Sequence, residues 1–203
     1  MAKLPPPDPD RLRSTPAEYA KVDDVLWRLH SPHHLEHPTR WDELRTFGPL
    51  VTARFDPWLP PPRERAPDGV GYFGRDVPTC LAEVFQDTRH VTTSRRGLQL
   101  TAFAPVRPLR LLDLRGSWPI QIGASHLINS GPRRRCRDWA HALRGAYPEA
   151  DGLVFTGMAG RDCVTLYAPG VFPDVPDFSR PLGDPALASR IADACSQIGY
   201  ALD

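Results

Sequence analysis

Lysine is nearly absent: Lys3 and Lys21 are the only two in 203 residues. Arginine carries the rest of the basic charge, and Lys+Arg 25 against Asp+Glu 24 leaves a net charge of only +1. Without a basic excess there is no global field for a nucleic-acid backbone, so no direct nucleic-acid partner is expected. A CxxC pair is also missing. Cys80, Cys136, Cys163 and Cys195 are scattered in a pattern that suits neither a zinc site nor a disulfide framework, and they read as free thiols in a reducing compartment. No run approaches the ~18 apolar residues of a membrane span. The opening MAKLPPPDPDRLRS has no apolar signal core. The expectation is a cytoplasmic chain with no membrane association. GxSxG and GxxxxGK[ST] are absent, and GMAGRD lacks the glycine spacing of a dinucleotide fingerprint.

Proline, by contrast, is abundant, with 24 residues beside 15 glycines. Each proline removes a backbone donor and resists helix interiors, which argues against a helix bundle. Hydrophobic residues at 41% and charged residues at 24% are ordinary for a globular protein. The length suits one domain. Residues 1–23 are expected to be a tail with a short helix, and residues 24–203 a single domain.

Residues 1–14 read as a loose tail and 15–22 as a short helix capped by Ser14 or Thr15. VLWRLHS alternates, predicting a strand with Trp27 and Leu29 on one face and Arg28 and His30 on the other. Residues 32–50 read as loop with at most one turn near 41–45. Strands are predicted at 51–55 and 70–73, separated by an irregular insert, PWLPPPRERAPD, over 57–68. Asp76 caps a predicted helix VPTCLAEVFQDT, with Pro78 in its permissive first turn. Leu98–Leu114 is one bent strand or two, and 117–129 is ambiguous. A helix over 132–147 turns Trp139, Ala142 and Leu143 inward and its arginine run to water. GLVFT and CVTLY form two strands around a glycine-rich turn. The last helix, 184–198, begins at Asp184–Pro185. Helices do not alternate with strands, so the fold class is α+β with a mixed or antiparallel sheet, flanking helices and long proline-rich loops.

His30, His33, His34 and His37 lie close together, but HxxHH without a central glutamate is not a metalloprotease helix, and a solvated loop is the expectation. No metal is expected. Arg133–Arg135 with Arg137 begin a helix, where the dipole disfavours cations. The reading there is a solvated face, with an anion or partner surface as the alternative. Glu83 sits beside the apolar face of its helix, and a buried carboxylate wants a partner.

ARFDP, YFG, CLAEVF and GLVFTG, following VLWRLHS, together resemble the RES-domain family over roughly residues 24–170. That family comprises bacterial toxins usually encoded beside an Xre-like helix-turn-helix antitoxin. The resemblance implies an ADP-ribosyltransferase-like fold and NAD as a substrate. It implies cleavage of the nicotinamide–ribose bond by hydrolysis or phosphorolysis, or transfer of ADP-ribose to a protein. It places Glu83 on the ribose, where a carboxylate stabilises an oxocarbenium-like centre. Arg54 and Arg28 become pyrophosphate ligands, suited by the guanidinium fork. Tyr72, eleven residues before Glu83, becomes the aromatic face for nicotinamide.

The family serine falls on Gly157 in this chain. The adjacent Thr156 faces the opposite side of its strand unless a bulge intervenes. An altered rate or substrate, rescue by Thr156, and lost activity all stay open. The missing hydrogen bond is worth about 1 to 3 kcal/mol. Gly157→Ser is expected to raise activity. A catalytically impaired domain that binds a nucleotide or an antitoxin is the non-enzymatic alternative, and a homo-oligomer stays open. The Pro57–Pro67 loop is expected to form the rim of the site.

Overall fold

The computed structural model describes residues 3–33, 38–94 and 97–203. The chain begins with α1 (Pro9–Ser14), β1 (Tyr19–Val22) and β2 (Leu26–His30). Two short strands follow, β3 (Phe47–Gly48) and β4 (Arg63–Glu64). Then come β5 (Gly71–Gly74), α2 (Val77–Val84), β6 (His90–Val91), β7 (Gln99–Phe103) and β8 (Leu109–Asp113). After α3 (Trp118–Gln121) and a 3₁₀ turn at His126–Ile128 lies the longest helix, α4 (Arg133–Ala146). The hairpin β9 (Gly152–Thr156) and β10 (Asp162–Leu166), β11 (Phe178–Pro181), α5 (Ala188–Ile198) and β12 (Ala201–Leu202) complete the chain.

Among the described residues, eight strands form one sheet in the order β1-β8-β9-β10-β5-β2-β7-β11. Every pairing in it is antiparallel except β8 with β9. The mixed-sheet α+β class is therefore present. One face is covered in two halves. Trp118, Cys136, Trp139 and Leu143 pack with Leu112, Leu153 and Phe155. Leu81, Phe85 and Ile191 pack with Leu100, and Trp27 and Leu29 lie against them. The opposite face carries Phe73, Phe103, Leu111 and Val154. Strand alternation accounts for this division.

Several local expectations give way to long-range contacts. Residues 15–22 are not a helix. Asp8 caps Asp10 and Arg11, Pro9 takes the first helical position, and α1 starts earlier. Tyr19–Val22 instead completes the sheet edge by pairing with Leu109–Leu112. Nor is the beginning of the chain a loose tail: Leu4 and Leu12 are buried, and Trp139 Nε1 donates to Pro5 O at 2.8 Å. Residues 51–55 form no strand. Arg137 Nη1 donates to the carbonyls of Leu50, Val51 and Ala53 at 3.0–3.2 Å, replacing a ladder with one guanidinium. The insert 57–68 contains a two-residue strand, since Arg63–Glu64 pairs with Phe47–Gly48. Helix α2 ends at Val84, short of the expected Thr88. Leu98–Leu114 resolves into two strands, β7 and β8.

Candidate active site

The site begins with a failure of pairing. β2 and β7 share five ladder pairs, but β2 and β5 share one, Trp27–Gly74. Earlier along β5's direction, Val70 bridges Arg45 instead of continuing against β2. A cavity of about 750 Å³ lies here, lined by residues of both strands, α2, the 50–54 segment, the turn after β9 and the start of α4. This is a size at which small-molecule sites are common. Arg28, Arg54, Tyr72, Glu83, Thr156 and Gly157 all line it.

Glu83 reaches the cavity from the last turn of α2. Asp76 accepts from Thr79 N at 2.8 Å and sets the start of that helix. Leu81 and Phe85 bury the opposite side, so Glu83 emerges half-buried at the edge of the apolar stripe. Its Oε1 accepts from Met158 N at 2.7 Å. The Cys163 thiol lies beside the same side chain, both bordering the space over Gly157. Burial, and then the Glu83 charge, push that thiol's pKa well up, so it remains an S–H donor. Burial likewise pushes Cys80 up to about 12. All four cysteines are free and buried.

Three arginines on the cavity wall, Arg28, Arg54 and Arg133, have no carboxylate partner within ion-pair distance among the described residues. Arg28 Nη1 donates to the carbonyls of Arg40, Trp41 and Glu43 at 2.8, 3.1 and 2.6 Å. Its guanidinium carbon lies 5.2 Å from the Phe73 ring centroid. Burial lowers its pKa to about 10, against the pull of Glu43 and Asp42, which keeps it charged at neutral pH. Arg54 Nη1 donates to Gly131 O at 2.7 Å, and Arg133 Nη2 to Gln86 Oε1 at 3.2 Å. Carbonyls hold these groups in place without neutralising them. Arg115, by contrast, is neutralised by Asp113 and Asp162.

Tyr72 is locked from behind. Its hydroxyl donates to Asp56 Oδ1 at 2.9 Å and accepts from Phe55 N at 3.1 Å. Burial, then the Asp56 charge, push its pKa well up. Fully buried Asp56 also receives Arg45 Nη2 and Leu50 N, each at 2.7 Å. Asp56 thereby ties the loop carrying Arg54 to the strand carrying Tyr72. Asp56 lies in the RFDP stretch, but its partners at Arg45 and Tyr72 leave no local pattern.

Other expectations are corrected. The rim is residues 50–54, not Pro57–Pro67: no residue of that loop lines the cavity. Trp58 turns into the core instead, and the Arg45 guanidinium lies over its ring at 5.8 Å. Arg133 is part of the cavity wall and Arg137 clamps a loop, so neither belongs to a purely solvated face. His30 is buried rather than solvated, bonded to Thr39 O at 3.0 Å and Thr101 Oγ1 at 2.8 Å. His34 and His37 lie outside the described residues. No group of three or more potential metal ligands occurs among the described residues.

The register around Gly157 is unbroken, with Thr156 opposite Asp162 and Phe155 opposite Cys163. No bulge brings the Thr156 hydroxyl round to the Gly157 face. The Thr156 amide donates to Asn129 Oδ1 at 3.1 Å. A Cβ placed on Gly157 would stand 2.5 Å from Glu83 Oε1 and closer still to Cys163 Sγ. Serine therefore does not fit here with its neighbours unmoved, and the expected gain from Gly157→Ser loses its structural basis.

The solved crystal structure of the M. tuberculosis MbcT–MbcA toxin–antitoxin complex contains a chain of similar fold. The TM-score is 0.56 at 15% identity, covering 91% of the present chain and 96% of the other. No curated protein gives a significant sequence match. The RES domain profile matches residues 25–185, most of the chain and every candidate site residue named above. The chain belongs to the RES-domain family.

Proposed function

We propose that this protein is a RES-type toxin that binds NAD in the cleft and breaks its nicotinamide–ribose bond. The observation that carries the reading is one cavity holding Glu83 beside three arginines without acidic partners. A dinucleotide pyrophosphate supplies the missing anion. Arg54 and Arg28 fork onto its oxygens. Tyr72 offers its ring to nicotinamide, and the hydroxyl's lock on Asp56 holds that ring still. Glu83 hydrogen-bonds a ribose hydroxyl and faces the positive charge that develops at the anomeric carbon. Bond cleavage returns the electron pair to the pyridine nitrogen, and neutral nicotinamide leaves. Water then attacks the anomeric carbon and loses a proton to solvent, or an ionised phosphate oxygen attacks with no proton to lose.

Gly157 favours a second reading, an impaired domain that binds nucleotide or antitoxin without turnover. An Xre-like helix-turn-helix antitoxin is the proposed partner, and the cytoplasm, where NAD is the substrate at hand, the proposed place of action. One assay separates the readings: purified protein is incubated with NAD, with and without phosphate and cell lysate, and free nicotinamide is followed. Release without lysate supports glycohydrolase or phosphorylase action. Label on a lysate protein indicates ADP-ribosyl transfer. No release at high enzyme concentration overturns the enzymatic reading.

A further inference from the structure

Gly157 stands where the family pattern has serine, and the structure gives a reason for glycine. The Glu83 carboxylate occupies the space a side chain at 157 would need. Oε1 accepts from Met158 N at 2.7 Å, and Cys163 Sγ borders the same space over Gly157. Met158 and Cys163 both lie on the β9–β10 hairpin, whose register closes through Gly157 N donating to Arg161 O at 2.8 Å. Helix α2 and the hairpin thus meet with nothing between Glu83 and the backbone at 157. Elsewhere along β9 close approach also needs glycine: a Cβ at Gly152 would collide with the Thr165 carbonyl. At Gly152 the neighbour is backbone, but at Gly157 the neighbours are Cys163 Sγ and the proposed catalytic carboxylate itself.

We propose that Gly157 is a positioning residue: its missing side chain leaves the space in which the Met158 amide holds Glu83 in its reactive orientation, beside the Cys163 thiol. This rests on Glu83 acting on the nicotinamide–ribose bond. Real Cβ atoms essentially never come within 3.0 Å of a neighbour, so any residue larger than glycine forces the carboxylate back from 2.5 Å. The backbone at 156–157 is held by the pairing of Thr156 with Asp162, by Gly157 N on Arg161 O and by Thr156 N on Asn129 Oδ1, which leaves the side chains to move. A retreat of that order at a reacting group is enough to cost about 10- to 100-fold in rate.

The test uses the full chain and four proteins: wild type, Gly157→Ala, Cys163→Ala, and the double variant Gly157→Ala/Cys163→Ala. Four quantities are read: melting temperature, kcat and KM for nicotinamide release from NAD, and the Met158 amide proton resonance. The single alanine at 157 is expected to lower both Tm and kcat, because it meets Cys163 and Glu83 together. Removing the thiol in the double variant relieves the packing conflict, so Tm recovers toward that of Cys163→Ala. The Glu83 conflict remains, so kcat stays about 10-fold or more below that of Cys163→Ala, with KM little changed. The Met158 amide proton moves upfield in Gly157→Ala, because its carboxylate acceptor has withdrawn. Recovery of kcat together with Tm in the double variant would show a purely structural glycine and overturn the proposal. So would a Met158 resonance that ignores Gly157→Ala. If wild type releases no nicotinamide, the NAD reading fails, and the amide resonance alone decides whether Gly157 sets Glu83.

Discussion

Tyr72 and Asp56, sixteen residues apart, share a hydrogen bond of 2.9 Å at the back of the cleft. Arg45 reaches the same carboxylate oxygen at 2.7 Å. Removing the carboxylate strands a half-buried guanidinium, a tyrosine hydroxyl and the Leu50 amide together. Asp56→Ala is expected to cost about 3 to 5 kcal/mol in urea denaturation, the range for breaking a buried pair. Tyr72→Phe keeps the ring and loses only the lock. It is expected to cost about 1 to 3 kcal/mol, with nicotinamide release changed less than in Tyr72→Ala. Equal losses of release in the two Tyr72 variants would argue against a role for the ring face.

Glu83→Gln preserves an oxygen that can accept from Met158 N, so circular dichroism and melting temperature should stay near wild type. The negative charge is gone. If that charge stabilises the transition state, kcat falls by roughly 10²-fold or more. A variant with wild-type turnover would show that another carboxylate acts.

The arginines are separable by substrate. Arg54→Ala should raise KM for NAD about 10-fold or more, the loss of one charge-assisted contact. Nicotinamide riboside has no pyrophosphate, so its turnover should be nearly insensitive. An equal penalty on both substrates would place Arg54 away from the phosphates. Arg28→Lys keeps a charge but replaces a planar group that now bonds three carbonyls. It is expected to lower stability as well as affinity, because lysine presents no guanidinium fork.

Acid should weaken the fold through His30. Burial lowers its pKa, while its bond to Thr39 O opposes the shift. The unfolded chain takes up a proton near the ordinary value of about 6.5, and the folded chain resists it. The unfolded state then holds more protons, so stability falls as pH falls. Melting temperature is expected to be level above about pH 6.5 and to decline from there toward pH 5.5. His30→Gln should flatten the slope in that window. An unchanged slope would assign the effect to other groups.

Leu12 is 2% exposed, although its segment reads from sequence as a loose tail. Leu12→Ala is expected to cost about 2 to 5 kcal/mol in denaturant titration, as for other leucines in a filled core. A change near zero would mean that the first helix docks only weakly.

Much of the site was legible locally. Asp76 with Pro78 announces α2, the alternation of VLWRLHS announces β2, and GLVFT with CVTLY announces the hairpin. These signals are short-range: a cap, a period, a turn. The six residues expected at the site do line one cavity. What local pattern cannot show is partnership at a distance. Tyr19–Val22 became a strand because Leu109–Leu112 offered an edge, and 51–55 lost its strand because Arg137 took its carbonyls.

By itself the sequence determined β2, β5, α2, α4 and the β9–β10 hairpin around the cleft, the α+β class and the residue types able to meet an anionic dinucleotide. Its scarcity of lysine also had a meaning that composition left open. Arg28, Arg65 and Arg137 each bind two or more backbone carbonyls, a task suited to a planar group with five donors. Only the tertiary structure decided that β2 and β5 separate after one pair, opening the cavity. Only it decided that Gly157 faces Glu83 with no room for serine. The reason is physical: strand divergence and close packing depend on groups tens of residues apart, and those distances exist only once the chain has folded.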